Sequence, residues 1–230
     1  VEIKTIAFQK VIDDCPCGVP TKKGIRSVCN QMAQFALAND IITKNYVQFV
    51  EMPEQEQSDL HKPFTDEELV KLWQCSHDPN IQIVLILCYA GMRPRELLGI
   101  RNENVNIEER YMIGGNKTAA SKNRVIPLNH KIMPFVKSLY EPANEYLITV
   151  NGKNISYDTF RRRIWNPAMQ SVAMEHFPHD GRHTCASLMA KAKIERMLRK
   201  KILGHANRDV TDQVYTHIEE KQLVETIDLI

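Results

Sequence analysis

The stretch HDGRHTCAS, residues 179–187, places His179 and Arg182 three positions apart at what reads as the start of a helix. The stretch ILGHANRDVTDQVYTHI, residues 202–218, adds His205 in an otherwise ordinary helical pattern and Tyr215 ten residues after it. Taken singly, none of these residues needs a functional explanation. Their meaning depends on which other polar residues the chain holds, and in what order.

The chain has 230 residues and is 43% hydrophobic, which is enough to bury one core, or one core and a smaller domain. Its six cysteines are scattered, and Cys88 and Cys185 lie in apolar runs, where a reduced thiol behaves as a small hydrophobic group. No apolar run approaches the ~18 residues that cross a bilayer, and the N-terminus lacks a signal-peptide core. We therefore expect an intracellular protein and, because the chain begins at Val1, a missing upstream segment.

The net charge of +2 conceals an uneven distribution along the chain. Residues 115–210 hold 17 Lys and Arg against 7 Asp and Glu, whereas residues 211–230 hold 1 against 5. This local basic excess predicts a surface that binds a polyanion, either DNA or RNA, and a merely solvated helical face is the alternative.

The first fifty residues predict a small all-α unit. Residues 22–50 carry apolar side chains at helical spacing, interrupted at Asn39-Asp40, and this pattern predicts two helices. The residues that define the expected buried face are Ile25, Val28, Met32, Phe35 and Ala36. Residues 51–63 are polar and acidic, contain a proline near each end and show no periodicity, so they predict an interdomain linker.

A second domain is predicted from residue 64 onward. Thr65 and Glu68 have the spacing of a capping box, and Phe64 is placed to pack against the first helical turn. Residues 80–92 are apolar nearly all round, which indicates a helix at the centre of the core.

Two short β-rich runs follow, at residues 110–115 and 123–128, separated by a polar loop. They predict a small antiparallel hairpin, and from residue 156 onward the patterns are helical again. The predicted fold class is therefore mainly α with a small antiparallel β-sheet.

Two more polar residues lie where local structure does not require them: Arg93 in AGMRPRELLGI (90–100) and Lys117 in GGNKTAASKNRVIPL (114–128). Arg93 follows a core helix and a glycine, where a long cation is costly to bury without a partner. A surface arginine and an edge-strand lysine are the alternatives. His179 and His183 have the spacing of two metal ligands, but no H-E-x-x-H glutamate and no paired cysteines complete a metal site.

In the order Arg, Lys, His-x-x-Arg, His and Tyr, the chain resembles the tyrosine recombinases, the integrase family of phages and conjugative transposons. The matching stretches are AGMRPRELLGI, GGNKTAASKNRVIPL, HDGRHTCAS and LGHANRDVTDQVYTH. The resemblance implies a catalytic domain at 64–230 with a C-terminal exchange helix at about 218–230. It also implies a partial, helical core-binding DNA domain at 1–50, followed by the linker at 51–63.

The residue types agree with metal-free cleavage of a phosphodiester. Tyr215 is the nucleophile implied by the resemblance, and its 3′-phosphotyrosyl link conserves the bond energy, so that no ATP is needed. Arg93 and Arg182 are planar forks that suit two phosphate oxygens, a geometry that lysine does not reproduce. The resemblance further implies that His205 donates a hydrogen bond to the same phosphate.

Three supporting roles are implied in the same way. His179 orients the site and is a candidate to take the tyrosine proton, while Lys117, on the hairpin, is the general acid for the leaving 5′-oxygen. Glu96, one helical turn after Arg93, has the spacing to orient that arginine; a solvated helix residue is the alternative. Arg93 is preferred to Arg95 because it directly follows the Gly-hydrophobic pair.

The expected partners are double-stranded DNA attachment sites, three further copies of the chain in a tetramer joined through the C-terminal helix, and DNA-bending accessory factors. We expect no cofactor, no metal and no membrane association, and a location in the cytoplasm at the bacterial nucleoid. The basic residues expected to contact DNA are Lys22, Lys23, Arg26, Lys122, Arg124, Arg161 and Arg162.

The function implied is site-specific recombination that integrates and excises a mobile element. A type IB topoisomerase, which uses the same groups to relax supercoils as a monomer, is one alternative. A non-catalytic DNA-binding regulator of the same fold is the other.

Overall fold

The computed structural model describes residues 3–54, 62–114, 123–204 and 219–230. The chain divides into two compact units, Val1–Asp59 and Leu60–Ile230. The boundary between them falls inside the segment for which the sequence predicts a linker, and the functional assignment of each unit stays a prediction.

The first unit contains two helices, α1 (Thr5–Asp13) and α2 (Val19–Ala38). A 3-10 turn follows at Tyr46–Phe49, capped by the Asn45 side chain, which accepts a hydrogen bond from the Val47 amide. The sequence pattern is thus right about the interruption after α2 but wrong about a second regular helix, which is replaced by this single turn.

The apolar face of α2 differs from the prediction. The core of the first unit is formed by Ile12, Ala33, Val47 and Val50, and Ile25 packs at its edge. Three residues that were expected to be buried, Val28, Met32 and Phe35, are 57%, 67% and 68% exposed. Helical spacing identifies an apolar face, but it does not identify the element that covers it.

The second unit is mainly helical with small antiparallel sheets, which confirms the predicted fold class. A π-helical turn at Arg161–Trp165 joins α7 to α8. Its helices are α3 (Asp66–Gln74), α4 (Pro79–Ala90), α5 (Pro94–Leu98), α6 (Met133–Leu139), α7 (Tyr157–Phe160), α8 (Asn166–Ser171), α9 (Asp180–Lys191), α10 (Arg196–Leu203) and α11 (Glu220–Ile227). Within the described part of the chain, every helix is too short or too polar to cross a membrane.

The predicted capping box is present at the start of α3. The Thr65 side chain accepts from the Glu68 amide at 3.2 Å, and the Glu68 carboxylate accepts from the Thr65 amide at 2.8 Å. Phe64, directly before this cap, is buried and stacks on His176 with ring centroids 3.8 Å apart. This contact ties the first turn of α3 to the chain just before α9.

Helix α4 is the centre of the core, as its apolar sequence predicts. Every residue from Ile81 to Ala90 except Gln82 is buried. Gly91 ends the helix with a φ of +63°, a left-handed conformation that residues with a Cβ rarely adopt. Helix α9 packs closely on α4, because a Cβ atom at Gly181 would lie 2.9 Å from the Cβ of Leu87. This close approach brings Arg182 beside the end of α4.

The predicted hairpin is confirmed and belongs to a three-stranded sheet. Strand β2 (Tyr111–Gly114) pairs antiparallel with β3 (Arg124–Pro127), with Met112 opposite Ile126, and β1 (Val105–Asn106) pairs with the other edge of β2. A second, two-stranded ribbon, β4 (Thr149–Val150) with β5 (Lys153–Asn154), has no counterpart in the sequence prediction.

Helix α11 packs against β3 and α10 of its own chain. Its apolar residues Leu223, Ile227 and Ile230 are buried. The Asn129 side chain donates to the backbone carbonyls of Ile227 at 2.7 Å and Ile230 at 3.0 Å, so that the end of α11 is anchored as well as its face. In this structure the C-terminal helix therefore covers the core of the chain to which it belongs.

Candidate active site

Arg93 lies directly after the core helix, at the N-cap of α5. Pro94 occupies the first helical position, where no amide hydrogen is needed. The Glu96 carboxylate accepts from the Arg93 amide at 2.7 Å and from its guanidinium at 2.8 Å. The Arg93 side chain is 32% exposed and that of Glu96 only 5%. Glu96 is therefore a buried anchor for a partly open arginine, and not a solvated helix residue.

Arg124 approaches the same carboxylate from strand β3. Its guanidinium donates to Glu96 Oε2 at 2.9 Å and to the backbone carbonyl of Ile202, and its side chain is 6% exposed. Because an interior side chain with these partners does not lie on a DNA-facing surface, the expected DNA contact of Arg124 is corrected to an internal one. The sequence identified Arg124 only as one of several basic residues, and its residue type gives no indication of burial.

Two arginines act on the ionisation of Glu96. Burial favours the neutral carboxyl, but the charge of Arg124 and the hydrogen bonds from Arg93 and Arg124 outweigh it and lower the pKa of Glu96 below its ordinary value. Glu96 is consequently an anion at neutral pH.

Arg182 lies in the first turn of α9 and is 5% exposed. Its guanidinium donates to the carbonyl of Gly91 at 2.9 Å and to the carbonyl of Leu203. Burial, followed by repulsion from Arg93 and Arg124, lowers the pKa of Arg182 to about 10, so the group remains a cation at neutral pH. The two predicted phosphate-binding arginines thus belong to one cluster of charge.

His179 immediately precedes α9 as its N-cap residue. Its ring lies 5.2 Å from that of His183 in an edge-on arrangement. Across the described ranges, no group of three His, Cys, Asp or Glu side chains is arranged to hold a metal ion. The two histidines alone do not make a metal centre.

A cleft of about 910 Å³ brings several of these residues to one surface. Arg93, Glu96 and His179 line it together. Three residues that the sequence analysis did not assign to the site also line it: Arg95, Arg101 and Tyr157. Arg95 lies over the Tyr157 ring, 5.2 Å from its centroid. The neighbouring position of Arg95 and Arg93 was a usable signal, whereas nothing in the local sequence marks Tyr157.

Four predicted site residues, Lys117, Lys122, His205 and Tyr215, lie outside the described residues. The described residues on either side of the hairpin loop, Gly114 and Asn123, both line the cleft. The chain thus enters and leaves the segment that contains Lys117 at the same cleft as Arg93 and His179.

The other described basic residues that were expected to contact DNA lie on two further elements. Lys22, Lys23 and Arg26 lie on α2 of the first unit, where Arg26 donates to the Gln48 carbonyl at 3.2 Å. Arg161 and Arg162 lie on the π-helical turn, the first half-buried and the second exposed. Their DNA contacts stay predictions.

The phage integrase family matches residues 62–222, which is more than half of the chain. The chain belongs to the phage integrase family. The four motifs and the arginine cluster therefore lie within the region that defines this integrase family.

Curated relatives of this integrase chain include tyrosine recombinases. It is 28% identical over 178 residues to tyrosine recombinase XerA of Pyrococcus horikoshii, an alignment that covers 74% of this chain and 61% of that protein. It is 30% identical over 162 residues to tyrosine recombinase XerC of Haemophilus influenzae, covering 66% of this chain and 53% of that protein. The chain therefore spans between half and two thirds of the length of these relatives.

Solved structures of integrases share the fold. The Tn1549 transposon integrase in complex with circular intermediate DNA matches with a TM-score of 0.72 and 18% identity, over 96% of this chain and 83% of that one. A lambda integrase tetramer bound to a Holliday junction matches with a TM-score of 0.70 and 18% identity, over 95% of this chain and 67% of that one. At such low identity the similarity establishes the integrase fold alone.

Proposed function

We propose that this chain is a site-specific DNA recombinase that cuts and rejoins DNA through a 3′-phosphotyrosyl intermediate. The observation that carries the proposal is that Arg93 and Arg124 both bond the Glu96 carboxylate, while the charges of these two arginines also act on the buried Arg182 and lower its pKa. The three guanidinium cations outnumber the single Glu96 carboxylate, so this partly buried region has a surplus of positive charge. Such a surplus is costly unless an anion arrives, and a phosphodiester supplies one.

The proposed reaction needs no metal and no ATP. The Tyr215 oxygen attacks phosphorus, the bond to the 5′-oxygen breaks, and a 3′-phosphotyrosyl bond replaces it. His179 takes the tyrosine proton and Lys117 gives a proton to the leaving oxygen, which becomes a 5′-hydroxyl. The 5′-hydroxyl of the cleaved strand in the partner duplex then attacks the 3′-phosphotyrosyl bond. This attack reverses the steps, rejoins the DNA and releases Tyr215.

Charge stabilisation is assigned to the groups that are fixed before DNA binds. Arg93 and Arg182 contact the non-bridging phosphate oxygens, with His205 donating a further hydrogen bond. Glu96 holds Arg93 from both its amide and its guanidinium, so little reorganisation accompanies binding. Preorganised donors of this kind lower the barrier because their orientation cost is met during folding.

The proposed substrates are two double-stranded DNA attachment sites, on which four copies of the chain assemble with the help of DNA-bending factors. Lys22, Lys23, Arg26, Lys122, Arg161 and Arg162 are proposed to contact the DNA backbone. The proposed setting is integration and excision of a mobile element in the bacterial nucleoid.

Exchange of α11 between subunits belongs to the same proposal. In the structure α11 packs on its own chain, and Asp228 after it is paired with Arg110 at 2.7 Å. Exchange requires these contacts to be released in one subunit and remade in its neighbour.

The own-chain packing is also the one observation that favours a monomeric topoisomerase of type IB as a second candidate. Transfer of a strand between two duplexes supports the recombinase, whereas relaxation of supercoils without such transfer supports the topoisomerase.

The test of the chemistry is a covalent trap. The full chain is incubated with a nicked suicide duplex that carries the junction sequence of the DNA element encoding it, and is then run on a denaturing gel. The expected result is a slowly migrating covalent band for the wild type, unchanged by excess EDTA, and no band for Tyr215→Phe. A band that persists in Tyr215→Phe identifies another nucleophile, and loss of the band in EDTA that magnesium restores contradicts metal-free cleavage.

A further inference from the structure

The side chain of Arg124 has an unusual position for a residue in a basic segment. It is the first residue of β3, directly after Asn123, and is almost wholly buried. One terminal nitrogen donates to Glu96 and the other to the Ile202 carbonyl. Its Nε is buried and has no hydrogen-bond partner among the described residues. A buried cation with these bonds joins two distant parts of the chain.

The first part is the arginine box on α5. Glu96 Oε1 accepts from the Arg93 guanidinium, while Oε2 accepts from both the Arg93 amide and Arg124. All contacts of Glu96 with Arg93 are local, between residues three positions apart. Arg124 supplies the bond that ties this local pair to the sheet, and therefore fixes the plane of the Glu96 carboxylate against rotation.

The second part is the C-terminal end of α10. The last carbonyls of a helix lack partners within the helix, and here those of Ile202 and Leu203 are taken by Arg124 and Arg182 respectively. Gly204 follows with a φ of +62°, and a Cβ atom there would lie 2.6 Å from Cδ of Arg124. Arg124 thus packs directly against the residue that precedes His205 in the sequence.

We propose that Arg124 is a positioning residue that joins Glu96, and through it Arg93, to the end of α10 that leads into His205. This inference rests on the proposed recombinase function. In this proposal Arg124 acts through Glu96 and not on the phosphate: its terminal nitrogens bond the Glu96 carboxylate, which holds Arg93, and the Ile202 carbonyl. It acts by fixing the position of α5, which carries Arg93, relative to the end of α10, which leads into His205. Each of these segments supplies a proposed phosphate ligand.

Two other uses of Arg124 make different predictions. A DNA contact predicts that its removal weakens DNA binding and leaves cleavage of bound DNA unchanged. A purely structural residue predicts lower stability, with losses of activity that are independent of Glu96. A positioning residue predicts slow cleavage at saturating protein, and a loss that depends on Glu96.

The first measurement is the single-turnover rate of covalent-complex formation on the nicked suicide duplex, beside DNA affinity measured on the uncleaved duplex. Arg124→Ala is expected to lower the rate on the order of 100-fold, as ångström-scale misplacement of catalytic groups does, with unchanged affinity. Arg124→Lys is expected to recover part of the rate, because an ammonium reaches Glu96 but does not reproduce the fork that also binds Ile202. Lys137→Ala, an exposed lysine on α6, is the control and should match the wild type.

The decisive measurement is a double-mutant cycle with Glu96→Gln, which keeps the shape of the side chain and removes its charge. If Arg124 acts through Glu96, Arg124→Ala should cost much less in the Glu96→Gln background than in the wild type. Additive losses, a wild-type cleavage rate in Arg124→Ala, or a loss confined to affinity overturn the inference. Thermal melting establishes that each variant is folded, and Arg124→Lys takes the place of Arg124→Ala in the cycle if the alanine variant is not.

The experiment separates this inference from the function on which it rests. No covalent band in the wild type overturns both. A wild-type band together with fully active Arg124 variants overturns the positioning role alone.

Discussion

Two buried polar clusters flank the start of α9, and their charges are arranged in opposite ways. In the Glu96 cluster the guanidinium groups of Arg93 and Arg124 bond one carboxylate, and their charges also act on a third guanidinium, that of Arg182. In the second, which we call the His176 cluster, one imidazole lies between two carboxylates, 3.2 Å from Glu68 and 3.2 Å from Asp180. One cluster has cations in excess, and the other has carboxylates in excess.

The comparison indicates which cluster is built for a ligand. His176 is covered by the Phe64 ring, and Asp180 also accepts from the Phe177 amide at 2.8 Å, so these groups are bonded to one another. The Glu96 cluster borders a cleft of about 910 Å³ and holds more positive charge than its own carboxylate balances. A surplus of positive charge beside a cleft indicates an incoming anion, whereas a cluster whose groups are bonded to one another under an aromatic ring indicates a structural connection.

The largest expected effect comes from removing an arginine of the Glu96 cluster. Arg182→Ala should slow cleavage of bound suicide duplex by about 10²–10³-fold, the usual loss for one preorganised donor to a transition state. Arg182→Lys should remain well below wild type, since an ammonium cannot donate to two carbonyls and a phosphate with the same fixed geometry. Rapid-quench kinetics measure the cleavage rate, and melting curves establish that the variant is folded. Near-normal cleavage by folded Arg182→Ala would contradict a catalytic role for the cluster.

Disrupting the His176 cluster should change stability more than activity. His176→Ala removes the imidazole that contacts the buried Asp180 carboxylate, and a hydrogen bond to a charged group contributes about 1.5–3 kcal/mol to the free energy of unfolding. Urea unfolding measures this loss, and the cleavage rate of the folded variant should fall far less than that of Arg182→Ala. A cleavage defect equal to that of Arg182→Ala would show that the two clusters are not functionally distinct.

Acid should weaken both clusters through their carboxylates. Hydrogen bonds from Thr65 and His176 outweigh burial and lower the pKa of Glu68, while Arg124 and Arg93 do the same for Glu96. A carboxyl with a lowered folded pKa stabilises the protein above its ordinary pKa of 4.5, and this contribution is lost as pH falls from there through the folded pKa.

The measurement is unfolding free energy against pH for wild type and Glu96→Gln. Removing one such carboxyl should reduce the acid slope by at most about 1.4 kcal/mol per pH unit, the value for one proton. A slope identical to that of the wild type below pH 4.5 would contradict the shift assigned to Glu96.

The smallest effect expected is on salt dependence, and it separates an outer arginine from an inner one. Arg162 is exposed on the π-helical turn, so Arg162→Ala should lower the slope of log affinity against log salt by about one phosphate contact. Arg124→Ala should leave that slope unchanged, because Arg124 is internal. An equal change of the salt slope in the two variants would indicate that Arg124 contacts the DNA.

The sequence was most informative where a local pattern and a local contact coincide. Glu96 was predicted to orient Arg93 from spacing alone, and both of its bonds to Arg93 span three residues. The capping box of Thr65 and Glu68 was predicted correctly for the same reason. Contacts within one helical turn depend on backbone geometry that is the same in every helix.

Predictions failed where the answer depends on which distant segment covers a residue. One face of α2 has the spacing of a buried face, yet its residues Val28, Met32 and Phe35 are exposed. Arginine is a residue type that is usually exposed, yet Arg124 is buried. The partners of Arg124 lie 28 and 78 residues away along the chain. Neither the hydrophobic periodicity nor the residue composition of a short segment indicates which residues it contacts at such a separation in sequence.

The sequence by itself determined the family, the mainly helical fold and the order of the chemical groups, because periodicity and motif spacing are properties of short segments. Only the tertiary structure decided that Arg93 and Arg124 meet at Glu96, that Arg182 bonds the carbonyls of Gly91 and Leu203, and that α11 covers its own core. The physical reason is the packing of α9 on α4 at Gly181, which leaves no room for a side chain and brings Arg182 to the Gly91 carbonyl. A site assembled from segments far apart in sequence exists only once the core between them has closed.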